Sequence, residues 1–165
     1  MRYKEDNTWK RGVVFIKEIV PRRMISLIAN NLYGEKYVTH KMKHKWKETA
    51  SELLVSYEWK VGKEWNHLNC VAEKIPETII AGSAEEFITE HYWGYTFVSD
   101  ACTGIYQVIH PKWRAHKVKS YDIVSNTKEL YGAEFEETLN QQLRSVFLAE
   151  GSDIKVMGGS RIYQS

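Results

Sequence analysis

The sequence predicts an α+β protein: a mainly antiparallel sheet, curled towards a barrel, with about three helices packed on or beside it. Three observations carry this. Residues 37–47 and 53–61 alternate apolar and polar side chains with the period of a strand. Gly62-Lys63 turns the chain and 65–72 returns it, which makes an antiparallel meander. Helical spacing is confined to short stretches, at 22–33, after Ser83 and around Phe135. A length of 165 residues suits one domain, 1–165, able to bury a core without staples.

The elements follow in order. Val13 to Val20 is apolar on both faces, the pattern of a central strand. Pro21 ends it and suits the first turn of a helix. Met24, Leu27, Ile28 and Leu32 then give a helix over 22–33, with Gly34 placed as its C-terminal cap. From Tyr37 to Lys47, Val38, His40, Met42, His44 and Trp46 point one way, and Thr39, Lys41, Lys43, Lys45 and Lys47 the other. Leu53, Val55, Tyr57, Trp59 and Val61 oppose Glu52, Ser56, Glu58 and Lys60, so the lysines can pair with glutamates on the next strand. Ser83-Ala84-Glu85-Glu86 is a capping box. It starts a short helix that carries His91 and Tyr92 at its far end and stops at Gly94. Ile105–Ile109 and Trp113–Val124 read as strands hinged at His110-Pro111. Phe135, Leu139 and Leu143 mark a last helix, and Val146–Ala149 and Ile154–Met157 two short closing strands.

Composition removes several functions. Hydrophobic residues are 43% and charged residues 27%, ordinary values for a globular chain. A net charge of +2 is too weak to imply a nucleic-acid or membrane partner by itself. No apolar run reaches the length of a membrane span, and the charged start Met1-Arg2-Tyr3-Lys4-Glu5-Asp6 lacks the apolar stretch of a signal peptide. The expected location is cytoplasmic. Cys70 and Cys102 do not form a disulfide framework and read as reduced thiols.

Chemistry concentrates in rings. In Glu90-His91-Tyr92-Trp93-Gly94-Tyr95, four of six residues carry a ring, and a second knot runs from Tyr106 through His110 and Pro111 to Trp113. Rings with polar tips suit the wall of a small-molecule pocket. The plainer alternative is a buried aromatic core with satisfied histidines. No metal site is expected, because His40 and His44, four apart on a strand, stand about 13 Å from each other. There is no Gly-x-Ser-x-Gly elbow, no phosphate-cradling loop and no implied cofactor. Lys41, Lys43, Lys45 and Lys47 form a basic stripe about 20 Å long, either a solvated face or an anion site.

Four motifs carry a family resemblance: Arg11-Gly12-Val13-Val14-Phe15-Ile16-Lys17-Glu18-Ile19-Val20-Pro21-Arg22, Leu32-Tyr33-Gly34-Glu35-Lys36-Tyr37, the knot Glu90–Tyr95, and His110-Pro111-Lys112-Trp113. They resemble the YqjF-like family of uncharacterised proteins. The resemblance implies an acetoacetate decarboxylase-like fold, a curled antiparallel barrel around a cavity. It also implies a start short of the family's N-terminal segment, hence an incomplete barrel. That decarboxylase acts through a Schiff-base lysine activated by desolvation or a nearby cation. By the resemblance Lys36 stands at a comparable place, although Glu35 beside it would raise rather than lower its pKa.

The resulting expectation is a cytoplasmic protein that binds a small carbonyl- or carboxylate-bearing molecule. Tyr33, Tyr37, His40, His91, Trp93, Tyr95, Tyr106 and His110 would line its pocket. The alternatives are a lyase using Lys36 with Glu18 or Glu90 as acid or base, anion or nucleic-acid binding on the lysine stripe, and a remnant of a longer family member. Association into a homo-oligomer is left open.

Overall fold

A computed structural model describes residues 2–5, 7–22 and 37–163. The chain separates into two compact units, each assembled from distant stretches of sequence: Met1–Thr39, Glu86–Lys112 and Ser152–Ser165 in the first, His40–Glu85 and Trp113–Gly151 in the second.

The first unit opens with a hairpin of β1 (Arg2–Glu5) and β2 (Thr8–Arg11). Asn7 takes φ 61° at its turn, a left-handed conformation that asparagine tolerates. β3 (Glu18–Val20) pairs in parallel with β4 (Tyr37–Thr39). The main sheet is centred on β10 (Cys102–Ile109). β9 (Trp93–Ser99) pairs with it, and so do β13 (Lys155–Val156) and β14 (Ser160–Tyr163), all antiparallel. Tyr95, Cys102, Ile105 and Tyr106 are buried there. Val13 is tied to this sheet by two backbone bonds, its N–H to the Trp93 carbonyl at 3.0 Å and the Tyr95 N–H to its own carbonyl at 2.9 Å.

The second unit is a six-stranded antiparallel sheet. β5 (Met42–Glu48), β6 (Glu52–Val61), β7 (Glu64–Glu73), β11 (Arg114–Val124) and β12 (Phe147–Ala149) follow in that spatial order, and β8 (Glu77–Thr78) also pairs with β11. The β5–β6–β7 meander has the predicted direction and turn, with Gly62 at φ 55°. Leu53, Val55, Trp59 and Val61 are buried on one face of β6, as the alternation requires. α2 (Thr127–Tyr131) and α3 (Ala133–Leu139) follow β11. The Asn126 side chain caps α2 by accepting the Glu129 N–H at 3.1 Å. The buried Asn66 side chain accepts the Asn126 N–H at 2.5 Å, and Leu130 is fully buried.

Several expectations need correction. Among the described residues the sheets do not close into a barrel: the six-stranded sheet runs from β5 to β12, and closure would need those end strands to pair. The apolar run 13–20 is not a central strand. Val13 spends both backbone groups on β9, and Val14, Phe15 and Ile16 are exposed before β3 begins. The 37–47 alternation breaks at His40-Lys41, giving β4 and β5 with different partners. His44 and Trp46 are exposed, Trp46 by 50%, because β5 is the last strand and its apolar face is left bare. The helix after the capping box, α1 (Ala84–Thr89), ends before His91, and Gly94 lies within β9. The last helix, α3, holds Phe135 and Leu139 but ends before Leu143, and α2, which precedes it across Gly132 at φ 94°, has no counterpart in the sequence reading. The β1–β2 hairpin was not foreseen, and the expected helix 22–33 with Gly34 falls largely outside the described residues.

Candidate functional site

The ring-rich segment sits at the start of β9 in the first unit. Glu90 accepts a hydrogen bond from the Tyr92 hydroxyl. That bond, then burial, pushes the Tyr92 phenol up to about 12. His110 stacks on the Tyr92 ring at 4.8 Å and 25°, with Nδ1 2.8 Å from the Pro111 carbonyl. His91 meets the Phe87 ring edge-on at 5.3 Å, and its Nδ1 lies 3.2 Å from the Ile88 carbonyl. The Lys10 ammonium stands over the Trp93 ring at 4.2 Å and also pairs with Glu5. Arg11 covers Phe87 at 5.0 Å. Tyr95 donates to the Lys10 carbonyl at 2.6 Å, and burial raises its phenol. Tyr106 packs its ring tip against Gly94, where a Cβ would stand 2.1 Å from Cζ.

Glu90, Tyr92 and His110 are thus brought together, while Tyr95 and Tyr106 belong to the core. Glu18 and Tyr37 stand opposite each other in the β3–β4 ladder. His40 falls in the second unit, where Nδ1 lies 2.6 Å from the Lys60 carbonyl. Tyr33 and Lys36 lie outside the described residues.

The second unit offers room. A groove of about 570 Å³ crosses β5, β6, β7 and β11, lined by Lys45, Lys47, Ser56, Asn69, Ser120 and Asp122 among others. The register explains it. Lys45 faces Ser56, Ser56 faces Asn69 and Asn69 faces Asp122, so one row of side chains shares one sheet face. The next row is Lys47, Leu54, Val71 and Ser120, which adds an apolar floor. A register shift between Val118 and Ser120 in β11 brings Ser120 onto this face.

Charge on that face is partly compensated. Lys43 pairs with Glu58 at 3.4 Å and covers the Trp65 ring at 3.9 Å. Lys119 pairs with Glu52 at 3.0 Å, and Asp122 with His67 at 2.8 Å. Lys45 and Lys47 have no ion-pair partner among the described residues. Lysines on a terminal strand also discourage edge-to-edge association, so the stripe has a second use. Behind the groove, burial pushes the Cys70 thiol up, away from thiolate chemistry.

A further cleft of about 300 Å³ lies along β8, β11 and β12. Neither this cleft nor the groove is lined by any ring of the first unit. The lysine alternation pointed to the groove in the sequence. Ser56, Asn69 and Ser120 gave no signal, because only the register collects them. Among the described residues no group of three metal-ligating side chains converges, and no helix is long and apolar enough to cross a membrane.

The family model DUF2071, described as an uncharacterized conserved protein (COG2071), matches residues 2–153. The chain belongs to that family, and the YqjF-like resemblance fits it. No curated protein and no solved structure gives a significant match.

Proposed function

We propose that the protein binds a small organic molecule with an anionic head, a carboxylate or a phosphate, in the groove across β5, β6, β7 and β11. The observation that carries this reading is the pair of uncompensated ammonium groups, Lys45 and Lys47, over a row of hydroxyl and amide side chains. The volume, about 570 Å³, falls within the range of ligand sites. Ser56, Asn69 and Ser120 supply donors that orient an anion, and Leu54 and Val71 an apolar floor for its carbon body. Asp122 is occupied by His67, which weakens its repulsion of such a ligand. The acetoacetate decarboxylase-like fold stays part of this proposal on the strength of the motifs that carry the family resemblance.

A thermal-shift panel of keto acids, dicarboxylates and inorganic phosphate tests it. A ligand at 100 times its Kd stabilises by about 2.7 kcal/mol. For a chain of this size that raises the melting temperature by about 5–10 °C. The Lys45→Gln, Lys47→Gln double substitution should abolish the shift. A panel that leaves the protein unmoved, or a shift that survives the double substitution, would overturn the reading. Preferential binding of oligonucleotides, lost steeply with salt, would replace the small anion by nucleic acid.

A further inference from the structure

The β1–β2 hairpin has two unlike faces. Its register sets Arg2 opposite Arg11 and Lys4 opposite Trp9 on one face, and Tyr3 opposite Lys10 and Glu5 opposite Thr8 on the other. Tyr3 and Lys10 are half-buried. The Lys10 carbonyl accepts the Tyr95 hydroxyl, and its ammonium stands over Trp93, so this second face is turned inward. All four residues of the first face are exposed, Trp9 by 56%.

A net charge of +2 for the whole chain hides a local concentration here. Arg2, Lys4 and Arg11 are three of the four outward side chains, and none forms an ion pair among the described residues. Glu5 lies on the inward face and pairs with Lys10. Arg11 reaches the Glu90 carbonyl at 3.4 Å, while the Glu90 carboxylate takes the Tyr92 hydroxyl. Like charges set directly opposite weaken a strand pair, so stability gives no reason for Arg2 to face Arg11. Two rings lie among these cations. Arg2 stands 4.7 Å and Lys4 5.9 Å from the Trp9 ring, and Arg11 stands 5.0 Å from Phe87, itself 58% exposed. Cation–π contacts at exposed sites are weak, so these side chains can turn from ring to phosphate and leave the ring face to a base.

We propose that this hairpin face binds single-stranded nucleic acid without regard to sequence. Arg2, Lys4 and Arg11 meet backbone phosphates, and unpaired bases stack on Trp9 and Phe87. A duplex hides its base faces and offers the rings nothing. An anionic membrane fits less well, since insertion needs a continuous apolar surface and this face sets one ring among three cations. The face belongs to the first unit and shares no residue with the groove.

Fluorescence anisotropy of a labelled thymidine dodecanucleotide, titrated with the full chain, tests this. Binding should be saturable and stronger than to a duplex of the same length. Three phosphate contacts give a slope of about −2 in log K against log salt, or about a 20-fold loss between about 50 and 200 mM. Trp9→Ala should weaken binding about fivefold or more, and Trp9→Phe should keep most of it. Lys4→Gln should make the slope shallower by about 0.7, a change that loss of folding does not imitate. Unchanged melting temperatures should accompany these substitutions at exposed positions. The Lys45→Gln, Lys47→Gln protein should bind the oligonucleotide as the parent does, and binding retained there belongs to the hairpin and leaves the groove reading intact. Absence of saturable binding, a duplex bound as tightly, affinity indifferent to both Trp9→Ala and Lys4→Gln, or loss of binding in the Lys45→Gln, Lys47→Gln protein would overturn the proposal. Sedimentation with phosphatidylserine vesicles in place of oligonucleotide binding would assign the face to a membrane and overturn it as well.

Discussion

Replacing Gly12 by alanine should unlock the link between Val13 and β9. A Cβ at this position would stand 2.2 Å from the Trp93 carbonyl oxygen and 2.7 Å from both its carbonyl carbon and the Tyr95 ring. Ordinary contacts start near 3.4 Å. The obstacle is backbone, so no side-chain rotation relieves it. Either the segment retreats, giving up the Val13–Trp93 and Tyr95–Val13 hydrogen bonds, or the strand is overpacked. Two backbone bonds are worth about 1–3 kcal/mol. Overpacking costs about 1–3 kcal/mol where the bonds survive. The stiffer unfolded chain returns about 0.5–1 kcal/mol. The net loss should be about 2 kcal/mol, or about 4–8 °C in the melting temperature of a chain this size. Thermal and urea denaturation measure it. Gly158→Ala, which meets nothing within 4 Å, is the control and should stay within about 0.5 kcal/mol of the parent. If the two variants melt together, close approach is not why glycine stands at 12.

Gly94→Ala drives its Cβ into the Tyr106 ring tip, and a double-mutant cycle with Tyr106→Leu should recover much of the loss. Glu90→Gln should bring the Tyr92 phenol down from about 12 towards its ordinary value, read by ultraviolet titration. A phenol raised on folding adds stability that is present below the unfolded value and lost as pH climbs through the folded one. In the parent that loss therefore lies between about pH 10 and 12, and Glu90→Gln should remove it. Asn126→Ala removes the cap of α2 and should cost about 1 kcal/mol in urea denaturation.

The meander was legible because alternation in 53–61 and a glycine turn specify register and face together. The alternation of β5 was equally clean and misled in one respect. Periodicity tells which side chains share a face, not whether another layer covers it, so Trp46 and His44 were expected inside. Val14, Phe15 and Ile16 show the same limit for an apolar run that finds no ladder. The capping box placed the start of α1, but its end was set by the demand of β10 for a partner at Trp93 to Ser99. The ring cluster was visible by composition. The groove was visible only as lysines, since its hydroxyl and amide groups come from three strands that only pairing aligns.

Both units are stitched from separated stretches, and this sets an order of events during synthesis. The second unit has all its strands once Ala149 has emerged, whereas β10 waits for β13 and β14, at 155–163. Strand β10 therefore gains its full set of neighbours only after the second unit has all of its strands. Cleavage near Gly151 would strip β10 of two neighbours and spare every strand of the six-stranded sheet. Late proteolytic nicking should thus yield a half-native fragment with one bared sheet edge, prone to self-association.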